Sequence, residues 1–435
     1  MVSFDNWVSA IKDFHSKELP FIVPRDYFFD LNLPLRRAYS VIGPRRAGKT
    51  FELFQIIKSL KDQGLMKQCI YANFEKPGFE FLSAKDLEEM MNAFYFLYPE
   101  NKNKQAWLFL DEIQNVNGWE LFVREQLDEG LKVFISGSSS RMLSSEVATS
   151  MRGRTLPKTI FPFSFKEYLR AKGISLQKGL SSSEKALVLN HFSDYFNYGG
   201  YPEAVIYPAE RENILTEIGK TVVLRDVVER KKIKNPEALN RLVEGLFHSK
   251  EFSVNKFYKH LKYLGVKTSK DSLYAYLGYL NEAFFAFTLK KFSFSLKKSE
   301  QSTPKIYFID NGLLRIRGIH DKGRLLENAV FIELLRRGKE LAYYRTDSGT
   351  LETDFIVKKD NHVTEIIQAC YDLSEPETKK RELKALLNAG KEFNCKKLSI
   401  ITFDYTAEET HKFEKTKFKI KFIPLWKWLL ENKKA

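Results

Sequence analysis

Val41-Ile42-Gly43-Pro44-Arg45-Arg46-Ala47-Gly48-Lys49-Thr50-Phe51 is the stretch whose reading decides the fold. It fits G-x-x-x-x-G-K-[ST], the phosphate-binding P-loop. The flanks agree with that reading. Arg37 to Ile42 is a short apolar strand, and behind the loop Leu53, Phe54, Ile56, Ile57 and Leu60 recur at helical spacing. A strand, a glycine-bearing loop and a helix N-terminus in that order make an anion cradle. Backbone N–H groups point inward, and the helix dipole favours negative charge there. Gly43 and Gly48 leave room for phosphates, with Pro44, Arg45, Arg46 and Ala47 between them. Lys49 reaches the β- and γ-phosphates, Thr50 ligates Mg²⁺, and Phe51 opens the helix.

From Arg37 onward, strand and helix alternate. Gln68 to Phe74 is an apolar strand, and Ala84 to Phe96 is a helix. Trp107-Leu108-Phe109-Leu110-Asp111-Glu112 is a buried strand with two acids at its C-terminal end, where an open α/β sheet places its ligands. Asp111 is expected to hold Mg²⁺ through water, and Glu112 to orient or deprotonate the attacking water. Leu131 to Ile135 is the next strand. It ends in Ser136-Gly137-Ser138-Ser139-Ser140, where either a polar residue at the strand tip, Ser136, touches the γ-phosphate or attacking water, or the stretch only caps the next helix, with Ser140 as N-cap. Arg152-Gly153-Arg154 is either a surface turn or a source of arginine for the phosphate of this subunit or a neighbouring one, which would make the protein a homo-oligomer. This order predicts a doubly wound, mostly parallel P-loop NTPase sheet of the α/β class over residues 1–163.

The amphipathic Asn6 to His15 and a lead-in broken at Pro20, Pro24 and Pro34 precede the sheet, with no function assigned. The 435 residues suit two or three domains. With 43% hydrophobic and 14% aromatic residues the chain has material for packed cores. A net charge of +15 suggests either an acidic partner such as nucleic acid or a solvated lysine-rich surface. Cys69, Cys370 and Cys395 are scattered, so neither zinc nor a disulfide framework is expected and the compartment is reducing, hence cytoplasmic. No run of about 18 apolar residues occurs, so no membrane span is expected.

Residues 164–228 read as a helical lid or linker, ending in a long helix from Glu210 to Glu229. Residues 229–300 carry 15 Lys or Arg against 7 Asp or Glu. Asn255 to Gly265 followed by Thr268 to Tyr279 resembles a helix-turn-helix, and Phe287 to Leu296 alternates as the wing hairpin of a winged helix would. Lys267, Lys270 and Ser272 at the second helix, and Lys290, Lys291, Lys297 and Lys298 in the wing, are the candidate DNA contacts. A structural spacer or a protein-docking module has the same pattern.

Residues 301–435 run helix, three strands, helix, strand from Arg324 to Phe403, the order of a restriction-endonuclease-like α/β domain. Such a nuclease needs a helix Glu, an Asp on the second strand and E-x-K on the third. Glu327 and Asp354 fall where the first two belong. On the third strand, taking Glu365 as the acid leaves Ile367 for the lysine, and taking Gln368 as the lysine leaves Ile366 for the acid. Either frame lacks a group, so a degenerate site without cleavage is expected.

Gly-Pro-Arg-Arg-Ala-Gly-Lys-Thr (43–50), Leu-Asp-Glu-Ile-Gln (110–114), Ser-Gly-Ser-Ser-Ser (136–140), Arg-Gly-Arg (152–154), Tyr-Gly-Gly-Tyr-Pro-Glu (198–203) and Glu-Asn (327–328) occur in that order. Together they resemble a large prokaryotic family of AAA+-type ATPases common in archaea. In that family the ATPase core is followed by a winged-helix region and a restriction-endonuclease-like domain of unknown function. The resemblance covers nearly the whole chain and implies ATP and Mg²⁺, but no substrate. The expectation is an ATP-hydrolysing switch or motor acting on DNA. The rivals are a nucleotide-gated protein-docking regulator and an ATPase-coupled metal nuclease.

Overall fold

The structure, a computed structural model, describes residues 2–27, 29–31, 35–76, 79, 82–137, 149–176, 179–360 and 362–431. Pro34 and Ser138, Ser139 and Ser140 lie outside them. The chain forms two compact units, Met1–Phe161 and Pro162–Ala435.

The first unit opens with α1 (Phe4–Ser16), started by Ser3, whose side chain accepts from the Asn6 N–H, and buried through Trp7 and Ile11. Then come β1 (Ala38–Ile42), α2 (Lys49–Asp62), β2 (Cys69–Asn73), α3 (Ala84–Leu97), β3 (Trp107–Asp111), α4 (Trp119–Asp128), β4 (Lys132–Gly137) and β5 (Thr155–Thr159). The strands form one parallel sheet ordered β2-β3-β4-β1-β5. β3 is buried along its whole length, which is why it reads as an unbroken apolar run. Tyr39, Phe134 and Phe109 stack across neighbouring strands, with ring centroids 5.1 and 5.0 Å apart. Because β4 lies between β1 and β3, its C-terminal end stands between the P-loop and the two acids.

The second unit begins with α5 (Phe165–Ala171), α6 (Ser182–Tyr198), α7 (Pro202–Ile206) and α8 (Arg211–Thr221), which runs on in wider turns over Val222–Glu229. Three helices follow, α9 (Pro236–Phe247), α10 (Val254–Tyr263) and α11 (Lys270–Glu282). Next are β6 (Ala286–Leu289), α12 (Leu296–Gln301), β7 (Lys305–Phe308), α13 (Asn311–Arg315) and α14 (Lys322–Arg336). The rest is β8 (Glu340–Arg345), β9 (Glu352–Lys359), β10 (His362–Cys370), α15 (Pro376–Glu392), β11 (Leu398–Thr402), β12 (Ala407–Phe413), β13 (Thr416–Pro424) and α16 (Leu425–Leu430). β8 to β13 form a mixed six-stranded sheet ordered β12-β13-β11-β10-β9-β8.

The expected wing hairpin over Phe287 to Leu296 does not form. β6 stops at Leu289 and pairs antiparallel with β7 on the far side of α12. Period-two alternation of Phe and polar residues imitates a strand. The chain beyond Leu289 instead turns to the edge strand β8, where the Phe292 N–H donates to the Tyr343 carbonyl (2.6 Å) and the Tyr343 N–H to that of Lys290 (3.1 Å).

Three motifs of the second unit meet in one buried joint. Gly199 has φ +72°, and a Cβ there would stand 1.7 Å from Asp310 Oδ1. The Asp310 carboxylate accepts from the N–H groups of Gly200 (2.7 Å) and Gly312 (2.8 Å). Asn311 donates to the carbonyls of Phe196 and Leu325, and Asn328 is bonded to Phe308 and Asn311. The Tyr-Gly-Gly-Tyr-Pro-Glu and Glu-Asn motifs therefore fasten α6 and α14 to the turn after β7. Burial pushes the Asp310 carboxyl up to about 7 against its two backbone donors.

Candidate functional site

The P-loop joins the end of β1 to the start of α2. Gly43 has φ +150°, and a Cβ there would stand 2.1 Å from the Ile160 carbonyl. That contact follows from the pairing of β5 with β1, continued by the Ile160 N–H bonded to the Ile42 carbonyl (2.7 Å). Gly48, at φ +99°, precedes α2, so the first free N–H groups of the helix face the loop. Lys49 is buried. Its ammonium lies 3.3 and 3.2 Å from the carbonyls of Gly43 and Pro44 and 3.5 Å from Glu112 Oε1. Arg45 pairs with Glu75 at 2.6 Å, Arg46 holds φ +62°, and Phe51 is half exposed.

Strand order brings the rest together. Asp111 is buried at the tip of β3. Its Oδ2 accepts from Thr50 Oγ1 (2.7 Å), Tyr71 OH (3.0 Å) and Asn73 Nδ2 (3.2 Å), and its Oδ1 from Ser136 Oγ. Burial raises its pKa, the Ser136 and Thr50 donors oppose that, and the charge of Glu112 adds to it. Glu112 sits at φ +54°, a left-handed conformation uncommon for a residue with a Cβ. Its N–H donates to Ser136 Oγ (3.0 Å), and its carboxylate accepts from Gln114 (2.5 Å). Ser136 thus fixes both acids at once. Lys49, Thr50, Asp111, Glu112 and Ser136 form one constellation.

Arg152 and Arg154 do not join it. The Ala38 N–H donates to the Arg154 carbonyl (2.9 Å), and Ala38 pairs with Thr155 while Ile42 pairs with Thr159. The Arg-Gly-Arg turn is therefore at the N-terminal edge of the sheet, and the P-loop is at the opposite edge. Arg154 pairs there with Asp128 (2.6 Å).

Three contributors escaped sequence reasoning. Tyr71 and Asn73 share one face of β2, and Asn73 is in register with Asp111; period-two spacing beside the acidic strand was their signal. Arg25, in the lead-in, is buried. Its guanidinium donates to the carbonyls of Ala47 (2.9 Å) and Phe161 (2.6 Å), while its backbone N–H donates to Gln55 Oε1 (2.7 Å). A trans peptide points its C=O and the following N–H in opposite directions. Holding the Ala47 carbonyl therefore directs the Gly48 N–H away from Arg25.

The donor set fits a nucleotide with Mg²⁺. The glycine cradle offers N–H groups and an ammonium, and Thr50 and Asp111 put two hard oxygens side by side. Among the described residues no group of three or more His, Cys, Asp or Glu is set to hold a metal alone.

Three acids of the second unit gather around a lysine that belongs to none of the expected motif positions. Lys305, on β7, is buried, with its ammonium 2.9 Å from Glu327, 2.8 Å from Glu352 and 2.8 Å from Asp354. Tyr307, two residues on and on the same face, donates to Glu327 (2.6 Å). Burial opposes the Lys305 charge, but Asp354, Glu327 and Glu352 outweigh it and hold the ammonium well above its usual range. Burial brings Asp354 up to about 7. Gln368 accepts from the Asp354 N–H (3.2 Å) and donates to Glu382, whereas Glu365 turns to Lys397 (2.6 Å). An ammonium has three N–H donors, and all three of Lys305 are engaged by carboxylates.

The proposed DNA contacts are spread along the second unit. Lys267 and Lys270 are exposed at the start of α11, while Ser272 takes part in its N-cap with Ser269. Lys290 and Lys291 lie along β8 rather than in a hairpin, and Lys291 is 3.9 Å from Asp347.

Residues 35–169 match the family described as AAA domain, and residues 189–322 and 322–428 match two domains of unknown function, DUF8612 and DUF4143. An uncharacterized protein of Methanocaldococcus jannaschii is 36% identical over 94% of this chain and 91% of its own length. One of Haemophilus influenzae is 33% identical over 77% and 82%. Among solved structures, Cdc6p of Pyrobaculum aerophilum has 16% identity, 68% and 88% coverage and a TM-score of 0.26. DnaA of Aquifex aeolicus bound to AMPPCP has 13% identity, 65% and 89% coverage and a TM-score of 0.23. Overlaps this shallow decide nothing about function.

Proposed function

We propose a function from one premise: this chain belongs to the same family as the Methanocaldococcus jannaschii and Haemophilus influenzae proteins, and its first part is an AAA ATPase domain. The protein is read as a cytoplasmic ATP-hydrolysing switch or motor that acts on DNA. The observation that carries the ATPase part is the convergence of Lys49, Thr50, Asp111, Glu112 and Ser136 at one end of the sheet.

Bound Mg²⁺ would neutralise charge on the β- and γ-phosphates and be held by Thr50 and Asp111. The chain's own residues do the rest. The Gly48 N–H, oriented through Arg25, and the first N–H groups of α2 cradle phosphate. Lys49 exchanges its long contacts to Gly43 and Pro44 for phosphate oxygens. That exchange also frees Glu112 from its ion pair, so that the carboxylate takes the proton of the attacking water. Ser136 keeps both acids aligned. Arg152 and Arg154 stand at the far edge of their own sheet, so any contact of theirs with nucleotide is with a second copy's site.

The DNA part rests on the excess of lysine in residues 229–300 and on the order α10, turn, α11, β6, β7, which suits a winged helix. The domain bounds follow the same reading: an ATPase core over 1–163, a helical linker over 164–228, the basic region to 300 and a restriction-endonuclease-like domain over 301–435. Nuclease action is not part of the proposal, because Lys305 has no N–H left for a phosphate. The test is DNA affinity measured with ATP and with ADP across a salt series. The reading expects a nucleotide-dependent affinity that falls steeply with salt. A flat salt dependence contradicts it and favours a protein-docking regulator.

A further inference from the structure

Exposed aromatic surface and free positive charge coincide where β6 is joined to β7. Residues 290–298 read Lys-Lys-Phe-Ser-Phe-Ser-Leu-Lys-Lys, with four lysines, two phenylalanines and no acid. The segment is anchored at both ends. Its start lies along β8, and its end is closed by Ser299 Oγ donating to the Lys291 carbonyl (2.8 Å) and the Lys291 N–H donating to Ser302 Oγ (3.2 Å). Between the anchors Phe292 packs edge-on against Phe393, with ring centroids 4.9 Å apart. Phe294 stands 5.2 Å from Phe292 and remains 85% exposed. Beside it opens a groove of about 540 Å³, lined in part by Lys291, Phe292, Phe294 and Lys298.

Of the two acids lining this groove, Glu392 accepts from Tyr344 OH, and Asp347 is exposed with Lys291 3.9 Å away. Arg345 is committed to Glu251 and Glu352. Lys290, Lys297 and Lys298 make no ion pair among the described residues. A large ring held open to water between uncommitted ammonium groups is the combination that single-stranded nucleic acid uses, with a base on the ring face and phosphates on the cations. Bases in a duplex are stacked on each other and cannot reach such a ring. An acidic peptide would use the lysines and leave the ring idle.

We propose that residues 290–298 form a contact for single-stranded nucleic acid. A base stacks on Phe294, and the flanking phosphates meet Lys290, Lys297 and Lys298. The inference rests on the nucleic-acid reading given above and narrows it to an unpaired strand at a named place.

The test is fluorescence anisotropy of a labelled oligothymidylate of about 20 nucleotides and of a duplex of equal length, using the full chain. Phe294→Ala is expected to weaken single-strand binding on the order of ten-fold, with the salt slope unchanged and Phe294→Trp restoring affinity. Lys297→Ala with Lys298→Ala is expected to flatten the single-strand salt slope by about 1.4. Because Phe294 is mostly exposed, the melting temperature of Phe294→Ala should match the wild type. Wild-type affinity of Phe294→Ala for the single strand overturns the proposal, as does binding of duplex without single strand, which leaves the general DNA reading standing. Binding of neither form removes both.

Discussion

Two buried lysines, one in each unit, hold their neighbours in opposite ways. Lys49 reaches two carbonyls and one carboxylate at 3.2 to 3.5 Å. Lys305 has three carboxylates at 2.8 to 2.9 Å. The first set is long and mostly neutral, so an incoming phosphate can outcompete it. The second is short, charged and complete. A lysine that binds ligands needs contacts it can leave, whereas a lysine that stands in place of a cation among acids needs contacts that saturate it. The same residue type can therefore mark a working site in one unit and a closed one in the other.

Breaking the second lysine should have the largest effect on stability. Lys305→Met leaves Glu327, Glu352 and Asp354 without their cation and is expected to destabilise the second unit by about 3–5 kcal/mol, read by urea unfolding. Lys49→Met should cost less, about 1 kcal/mol, since two of its three partners are neutral carbonyls and its one carboxylate stands 3.5 Å away. Equal costs would dissolve the contrast.

For ligand binding the ranking reverses. Lys49→Met should lower ATP affinity on the order of 100-fold in a calorimetric titration, whereas a surface lysine such as Lys380 replaced in the same way should leave it unchanged. Arg25→Lys keeps the charge but cannot bridge the Ala47 and Phe161 carbonyls as a guanidinium does. It should weaken ATP about five-fold with little change in kcat at saturation. If Arg25→Lys alters only the melting temperature, the residue supports the fold rather than the cradle.

A last contrast concerns pH. Asp310 has its pKa raised by burial to about 7, so the protonated acid is the form the fold prefers. The stability it contributes is present below about pH 4 and is lost as pH rises through 7. Asp310→Asn has no titration there. The stability difference, wild type minus variant, should therefore shrink from pH 4 to pH 8. Asp354, also near 7, titrates in both proteins and cancels. A difference that stays flat across this range contradicts the assignment.

What was legible in the sequence was local. The P-loop and the acidic end of β3 each sit within a few residues of the strand that presents them, so strand and motif are legible together; Ser136 is legible as a polar strand tip, but not its hydrogen bonds to both acids. Arg25, Tyr71, Asn73 and Lys305 reach their sites from other elements, and only strand order and register bring them there. Lys305 hid for a second reason: a lone lysine at the start of an apolar strand looks like a solvated end. The wing was misplaced because alternation alone does not say which strand a segment will pair with. Arg152 and Arg154 follow the acids in sequence, but the parallel register of β5 sends their turn to the other edge of the sheet.

The central claim is that the constellation around Lys49 binds ATP and that Glu112 activates water for its hydrolysis. The most direct measurement is ATP affinity and steady-state turnover of Glu112→Gln side by side with the wild type. The account predicts tight ATP binding retained and turnover reduced at least about 100-fold. Unchanged turnover in Glu112→Gln would contradict it.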